Sequence, residues 1–347
     1  MECVSRPFGQ LSTGAEVVAH TLTNRKGSSI TVLNYGGIIQ SLCVPDANGN
    51  VANIVLGFNS AAEYETMSPF YGAITGRTAG RISGGGFEID GERYDLASED
   101  GVNLHGGPVG LDKRLWEVAE LVTETYGELA LSYTSAHMDQ GFPGELDMVI
   151  TYKFDDEDQL TLTYKATTDV ATIVTLTNHS YFNLSGDLST NILDHQLTIP
   201  ADKVLAIGKD SVPVGIDDVA GGPFDFRLGK AVGKDINEGT DNLKNGSGYD
   251  HPFVLTKEDG EKIQLSDPKS GRVLTMTTSE QCVVCYTGNF IEASNYVFDK
   301  THLQARAAIC LETQYYPDAI NAAFLPERIL RPGQNYLEET TFKFSVQ

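Results

Sequence analysis

The chain has 347 residues, and its 25 basic and 47 acidic side chains leave a formal charge of −22. Such a surface repels phosphate backbones, anionic lipid and phosphorylated ligands, which argues against nucleic acid and membranes as partners and for a neutral substrate. No apolar run approaches the ~18 residues of a membrane span, and Met1-Glu2-Cys3-Val4-Ser5-Arg6 does not lead into an apolar stretch, so neither a span nor a secretory signal is expected.

In chain order, strand-like runs rich in Val, Ile, Thr, Tyr and Phe fall at residues 30–44, 147–154, 160–168, 172–184, 193–200, 273–277 and 340–344. Asn48-Gly49, Asp90-Gly91 and Asp259-Gly260 supply the positive φ angles of tight hairpins. Helical patterns are few, the best being residues 60–66. No repeat or linker interrupts the run. The expectation is an all-β chain, one large antiparallel β-sandwich spanning residues 1–347.

The five cysteines are an odd number spread over a long chain, unlike a disulfide framework, and suit a reducing cytoplasm. Cys282-Val283-Val284-Cys285 has redox spacing but lies in an apolar strand without a βαβ context, so its thiols read as buried and structural.

Several polar clusters interrupt this strand-rich background. Gly76-Arg77-Thr78-Ala79-Gly80-Arg81-Ile82 sets two arginines among glycines, each able to hold hydroxyls or carboxylates, or simply to pin a loop. In Asn103-Leu104-His105-Gly106-Gly107 the paired glycines would let backbone approach a ligand. Gly248-Tyr249-Asp250-His251-Pro252-Phe253 places a carboxylate beside an imidazole, and could equally be a turn before a proline.

The most informative stretch runs from Thr175 to Gly186. Alternation puts Thr175, Thr177, His179, Tyr181 and Asn183 on one face, with Val174, Leu176, Phe182 and Leu184 on the other. A strand buried for packing alone rarely lines a whole side with hydrogen-bonding groups; a wet edge strand is the plainer alternative. Residues 308–318 carry Glu312 on the face of Ala308 and Cys310. Poor solvation there would raise its pKa toward the range of proton transfer, unless it is an exposed edge charge.

Together the clusters resemble the aldose 1-epimerase (galactose mutarotase) family. The resemblance rests on Asn34-Tyr35-Gly36-Gly37, residues 76–82, His105-Gly106-Gly107, Gly141-Phe142-Pro143-Gly144, residues 177–186, Pro223-Phe224-Asp225-Phe226-Arg227, Tyr249-Asp250-His251, Tyr286-Thr287-Gly288-Asn289 and Leu311-Glu312-Thr313-Gln314. It implies a galactose mutarotase-like supersandwich with an open sugar cleft, no cofactor, and interconversion of the α and β anomers of free aldohexoses, chiefly galactose and glucose. It casts Glu312 as catalytic base and His179 as catalytic acid. Arg81, His105 and Asp250 match sugar-binding positions, and Tyr181 matches a substrate-site residue beside the catalytic histidine. The expected partner is a free monosaccharide, with the protein a monomer or weak homodimer. Two positions depart from the family pattern. Gly80 and Val284 stand where amide side chains are common, which bears on sugar preference.

Anomer exchange needs a base at the anomeric hydroxyl and an acid at the ring oxygen, both with pKa near neutrality. Histidine starts near ~6.5 and needs little tuning, whereas glutamate, near ~4.3, needs burial. Three alternatives compete: a sugar sensor without turnover, a metal enzyme using His105, His179, Asp250 and Glu312, and a hexose-6-phosphate epimerase. The first would not need both base and acid. The second lacks tightly spaced ligands, and the third lacks added cations beyond Arg77 and Arg81.

Overall fold

Along Leu146–Asp155 and Gln159–Thr168, buried and more exposed side chains alternate without a break, the signature of a sheet with one face on the core. The computed structural model describes residues 1–257 and 262–347. Three large sheets dominate, and all their strand pairs are antiparallel. Glu2–Gln10, Glu16–Thr23, Ser29–Leu33, Ile39–Pro45 and Val51–Asn53 form a five-stranded meander in sequence order. A nine-stranded sheet begins with Glu117–Val122, Tyr126–Ser135, Leu146–Asp155 and Gln159–Thr168; it is completed by Tyr336–Val346, Arg272–Thr278, Ile263–Ser266, Gln196–Thr198 and Lys230–Ala231. The third sheet runs Pro213–Asp218, Ala201–Ile207, Asp250–Leu255, Cys282–Tyr286 and Cys310–Gln314.

The main core draws from all three: Leu22, Ile30 and Leu42 from the first, Ile150, Leu162 and Leu274 from the second, Phe253, Val283 and Leu311 from the third. Burying each such side chain contributes about 1.5–3 kcal/mol. No disulfide assists, since Cys3, Cys43, Cys282, Cys285 and Cys310 are all free, the last three buried. The fold is the expected all-β antiparallel sandwich.

Local expectations mostly hold. The helix is Ala61–Met67, capped by Ser60, whose hydroxyl accepts from the Glu63 amide and donates to its carboxylate. Asp90 and Gly91, with φ of 53° and 84°, join Gly86–Ile89 to Glu92–Asp95. The turn expected at Asp259-Gly260 lies outside the described residues. The run of residues 30–44 is two strands, Ser29–Leu33 and Ile39–Pro45, parted by a turn, and two other strands are shorter than expected. Of residues 193–200 only Gln196–Thr198 pairs. Of residues 172–184 only Thr177–Asn178 forms a strand, joined by single bridges at Thr172, Thr175 and Phe182. Along its length this segment meets residues 330, 78, 74–75, and then 55 and 309, so no one neighbour extends the ladder. It is no wet edge strand either: residues 172–184 are buried throughout.

Candidate active site

Two strands of the third sheet carry the carboxylates. Asp250 pairs with Tyr286 and Glu312 pairs with Val284, both on the Cys282–Tyr286 strand that lies between them. Tyr286 and Val284 are two residues apart, so their cross-strand partners emerge on the same face. Ile309 and Leu311 go to the main core, while Ala308 and Cys310 sit in a second cluster with Tyr181 and Tyr286. The alternation read from residues 308–312 is therefore the real one, and Glu312 is 3 % exposed.

The segment of residues 172–184 brings His179 to this face. Its Nε2 lies 3.5 Å from Glu312 Oε1. The backbone is held rigidly: Gly72 N–H donates to the His179 carbonyl, His179 N–H to Ala73, and the Asn178 side chain to the Gly72 carbonyl. Leu176, Phe182 and Leu184 anchor the opposite face in the main core, as alternation predicted. Thr175, Thr177 and Asn183 are buried away from the pocket, so only His179 and Tyr181 of the polar face reach it.

These groups line a cavity of about 200 Å³ together with Arg81, His105 and Asp250. Arg81 Nη2 stands 3.9 Å from Asp250 Oδ2. The Gly80 amide donates to His105 Nδ1 at 3.1 Å, which in a neutral imidazole leaves the proton on Nε2 as a donor. His251 accepts the Asp250 amide on Nδ1 and so fixes the start of that strand. All the residues singled out as site candidates thus converge on one cavity. The Tyr181 hydroxyl donates to the Pro69 carbonyl, and its ring stacks on His179 at 5.0 Å and 12°. Tyr181 thus lines the cavity with its ring against the imidazole and its hydroxyl proton already engaged.

Readings left open by the sequence are narrowed. Arg77 is loop-pinning: its guanidinium donates to the carbonyls of Ser135, Ala136, Pro143 and Gly144. Gly106 serves close approach of the backbone to itself, since a Cβ there would meet the Gly76 carbonyl at 1.8 Å. At Gly80 (φ 77°) a Cβ would come within 2.9 Å of Gln314 Nε2 and 3.0 Å of Pro317, so Gln314 fills the room a side chain would need. Val284 lines the cavity beside Pro252. Sequence reasoning missed Phe70, Phe290 and Gln314 in the lining. Phe70 has a φ of 67°, which no pattern of residue types announces.

Burial governs the electrostatics. Desolvation, aided by the Asp250 charge and opposed by Arg81, pushes the Glu312 carboxyl up to about 8. Desolvation also drives His179 down to about 3, with Arg81 acting in the same direction. The shift runs away from the near-neutral histidine expected, because a buried imidazole loses the hydration its cation needs. At neutral pH the pair rests as carboxylic acid and neutral imidazole. Among the described residues His179 Nδ1 and Glu312 Oε2 lack partners, an unsatisfied state that a hydroxyl-rich ligand would relieve.

His105, His179 and Glu312 each bring a ligating atom within 4.8 Å of the others, the cluster a metal reading would use. The Gly80 amide already holds the His105 Nδ1 lone pair, leaving a donor, so this set suits hydroxyls better than a cation. A larger groove of about 860 Å³ lies on the nine-stranded sheet around Tyr133, Asp147 and Lys165; no histidine lines it.

Residues 19–343 match the family model described as aldose 1-epimerase. The chain is 38% identical to galactose mutarotase of Bos taurus over 343 residues, 98% of this chain and 97% of the relative. It is 34% identical to aldose 1-epimerase of Escherichia coli K12 over 94% of this chain and 95% of that one. Among solved structures, galactose 1-epimerase from Lactobacillus acidophilus superposes with a TM-score of 0.88 at 26% identity, covering 100% of this chain and 99% of the other. An aldose epimerase homologue from C. elegans gives 0.85 at 30%, covering 94% and 98%.

Proposed function

The chain belongs to the aldose 1-epimerase family, and from that premise we propose that it is an isomerase interconverting the α and β anomers of free aldoses, with Glu312 and His179 moving the protons. The observation that carries this is the 3.5 Å approach of His179 Nε2 to Glu312 Oε1, both side chains buried at the wall of the cavity. The anomeric hydroxyl and the ring oxygen are bonded to one carbon, so a base and an acid serving them must themselves be neighbours.

The pair holds one labile proton. Ring opening uses it as carboxylate and imidazolium: Glu312 takes the proton of the C1 hydroxyl as His179 gives one to the ring oxygen, and the C1–O5 bond breaks. That leaves a free aldehyde with the pair as carboxylic acid and neutral imidazole, the form burial favours at rest. Rotation about C1–C2 presents the other carbonyl face. Closure returns both protons, Glu312 to the carbonyl oxygen and His179 from the chain hydroxyl. Each group contributes about 10²–10⁴-fold. Arg81, Asp250 and the His105 Nε2–H would hold the remaining hydroxyls, and Tyr181 would keep His179 in plane.

The reading needs no partner but the sugar, and residues 1–347 would act as one unit, since the groups involved run from Arg81 to Glu312. A monomer suffices because one chain supplies all of them. Five free thiols favour a reducing, cytoplasmic setting. Polarimetry on fresh α-D-galactose tests the assignment. Glu312→Gln and His179→Asn should each slow equilibration by at least ~10²-fold while still binding galactose. Variants as fast as the native protein would defeat it, and galactose binding without acceleration by the native protein would make the chain a sugar sensor.

A further inference from the structure

Phe70 holds the backbone at φ 67°, in the left-handed region that a side chain with a Cβ rarely adopts and an aromatic one more rarely still. The turn it occupies does not require a ring. Its neighbours are tied by the Ser68 hydroxyl, which accepts the Tyr71 amide, and by the Ala73 amide, which donates to the Phe70 carbonyl. Glycine or asparagine would suit such a turn better. The ring must therefore answer to something else.

It reaches both histidines of the site. Its centroid lies 4.8 Å from that of His105, edge to face, and 5.7 Å from that of His179, nearly parallel at 14°. Tyr181 makes the second parallel contact with His179, and its hydroxyl is anchored on the carbonyl of Pro69, the residue before Phe70. One short segment thus controls both rings against His179. We propose that Phe70 is a positioning residue for the His179 and His105 imidazoles, fixing their planes and excluding water from them, and that the strained turn exists to place its ring.

This inference rests on the acid–base reading of His179. The charged or titratable groups facing that imidazole are Glu312, His105, Tyr181 and Arg81, with Asp250 beyond Arg81. None lies on the segment of Phe70, so removing the ring changes hydration and orientation rather than a charge. Small displacements of a proton-transfer group lower turnover more than binding.

The variants are Phe70→Leu, which keeps apolar bulk without the ring, and Phe70→Tyr, which keeps the ring. Phe70→Leu should lower kcat by about 10–100-fold with KM changed less than about threefold. The acid limb of kcat/KM should move upward, toward the ordinary imidazole range, as water reaches His179. Phe70→Tyr should restore most of the rate. NMR titration of the His179 ring should show the same rise in Phe70→Leu, and it reports even if the native protein proves inactive, so failure of the functional reading is told apart from failure of this one. A raised KM with native kcat would make Phe70 a sugar platform and overturn the proposal. Native kcat with an unmoved His179 titration would do the same. Should Phe70→Leu fail to fold, Phe70→Tyr decides: folded and fast supports the ring, folded and slow sinks it.

Discussion

Glu312 shows how function and stability oppose each other at a single side chain. Its carboxyl is raised from 4.5 to about 8, chiefly by desolvation. A group whose folded pKa is raised binds its proton more tightly in the native state, so its stabilising share is complete below 4.5 and is lost as pH rises through about 8. The native protein at about pH 9 therefore carries a buried carboxylate that glutamine would not. Glu312→Gln should raise the unfolding free energy by roughly 1–3 kcal/mol at that pH, after discounting for coupling to Asp250, with the difference closing toward zero near pH 4.5. Denaturant melts at the two pH values measure it; a pH-independent difference would mean that packing, not ionisation, is responsible. His179 runs the opposite way, its neutral form stabilising above 6.5 and failing only as pH falls toward 3. The functional state is therefore one that folding alone would not choose.

The segment of residues 76–81 owes its course to Arg77, whose side chain is buried against the 135–144 loop while Arg81, four residues on, faces the cavity. Burial lowers the Arg77 pKa to about 10, so it remains charged, and the carbonyls of residues 135–144 receive its donors. Lysine keeps the charge but cannot reproduce a planar fork that reaches several carbonyls. Arg77→Lys should destabilise by about 2–4 kcal/mol and slow the reaction by displacing Arg81; a melting temperature unchanged by the substitution would refute the role. Residue pattern left Arg77 and Arg81 equivalent, and only the family resemblance picked out Arg81, because which arginine turns inward depends on a loop about 60 residues away. The strands of residues 147–154, 160–168 and 308–312 were legible because one sheet face is uniformly core. Residues 172–184 were half legible: their apolar face was read correctly, but the ladder breaks because the neighbour changes along the segment. Phe70 was illegible, since its φ and its contacts come from tertiary packing on residues 105 and 179.

At the scale of the whole molecule, a charge of −22 surrounds a pocket whose two carboxyl groups, Asp250 and Glu312, face the single guanidinium of Arg81. Among the described residues lining it, Arg81 alone carries a permanent positive charge, and Asp250 stands 3.9 Å from it. A free sugar feels little of this field, because it brings no charge. A hexose 6-phosphate would bring about two negative charges into a site with no spare cation to receive them. The rate with free galactose should therefore change less than about twofold between ~10 mM and ~500 mM salt, across which the screening length contracts from ~30 Å to about 4 Å. The 6-phosphate should have a kcat/KM lower by ~10²-fold or more at the lower salt and recover part of it as salt rises, since screening weakens the repulsion. Opposite signs would be decisive. A phosphorylated sugar that turns over faster than the free one, and slows as salt is added, would mean that the acidic surface has been misjudged as a filter and that Arg81 is available to an anion.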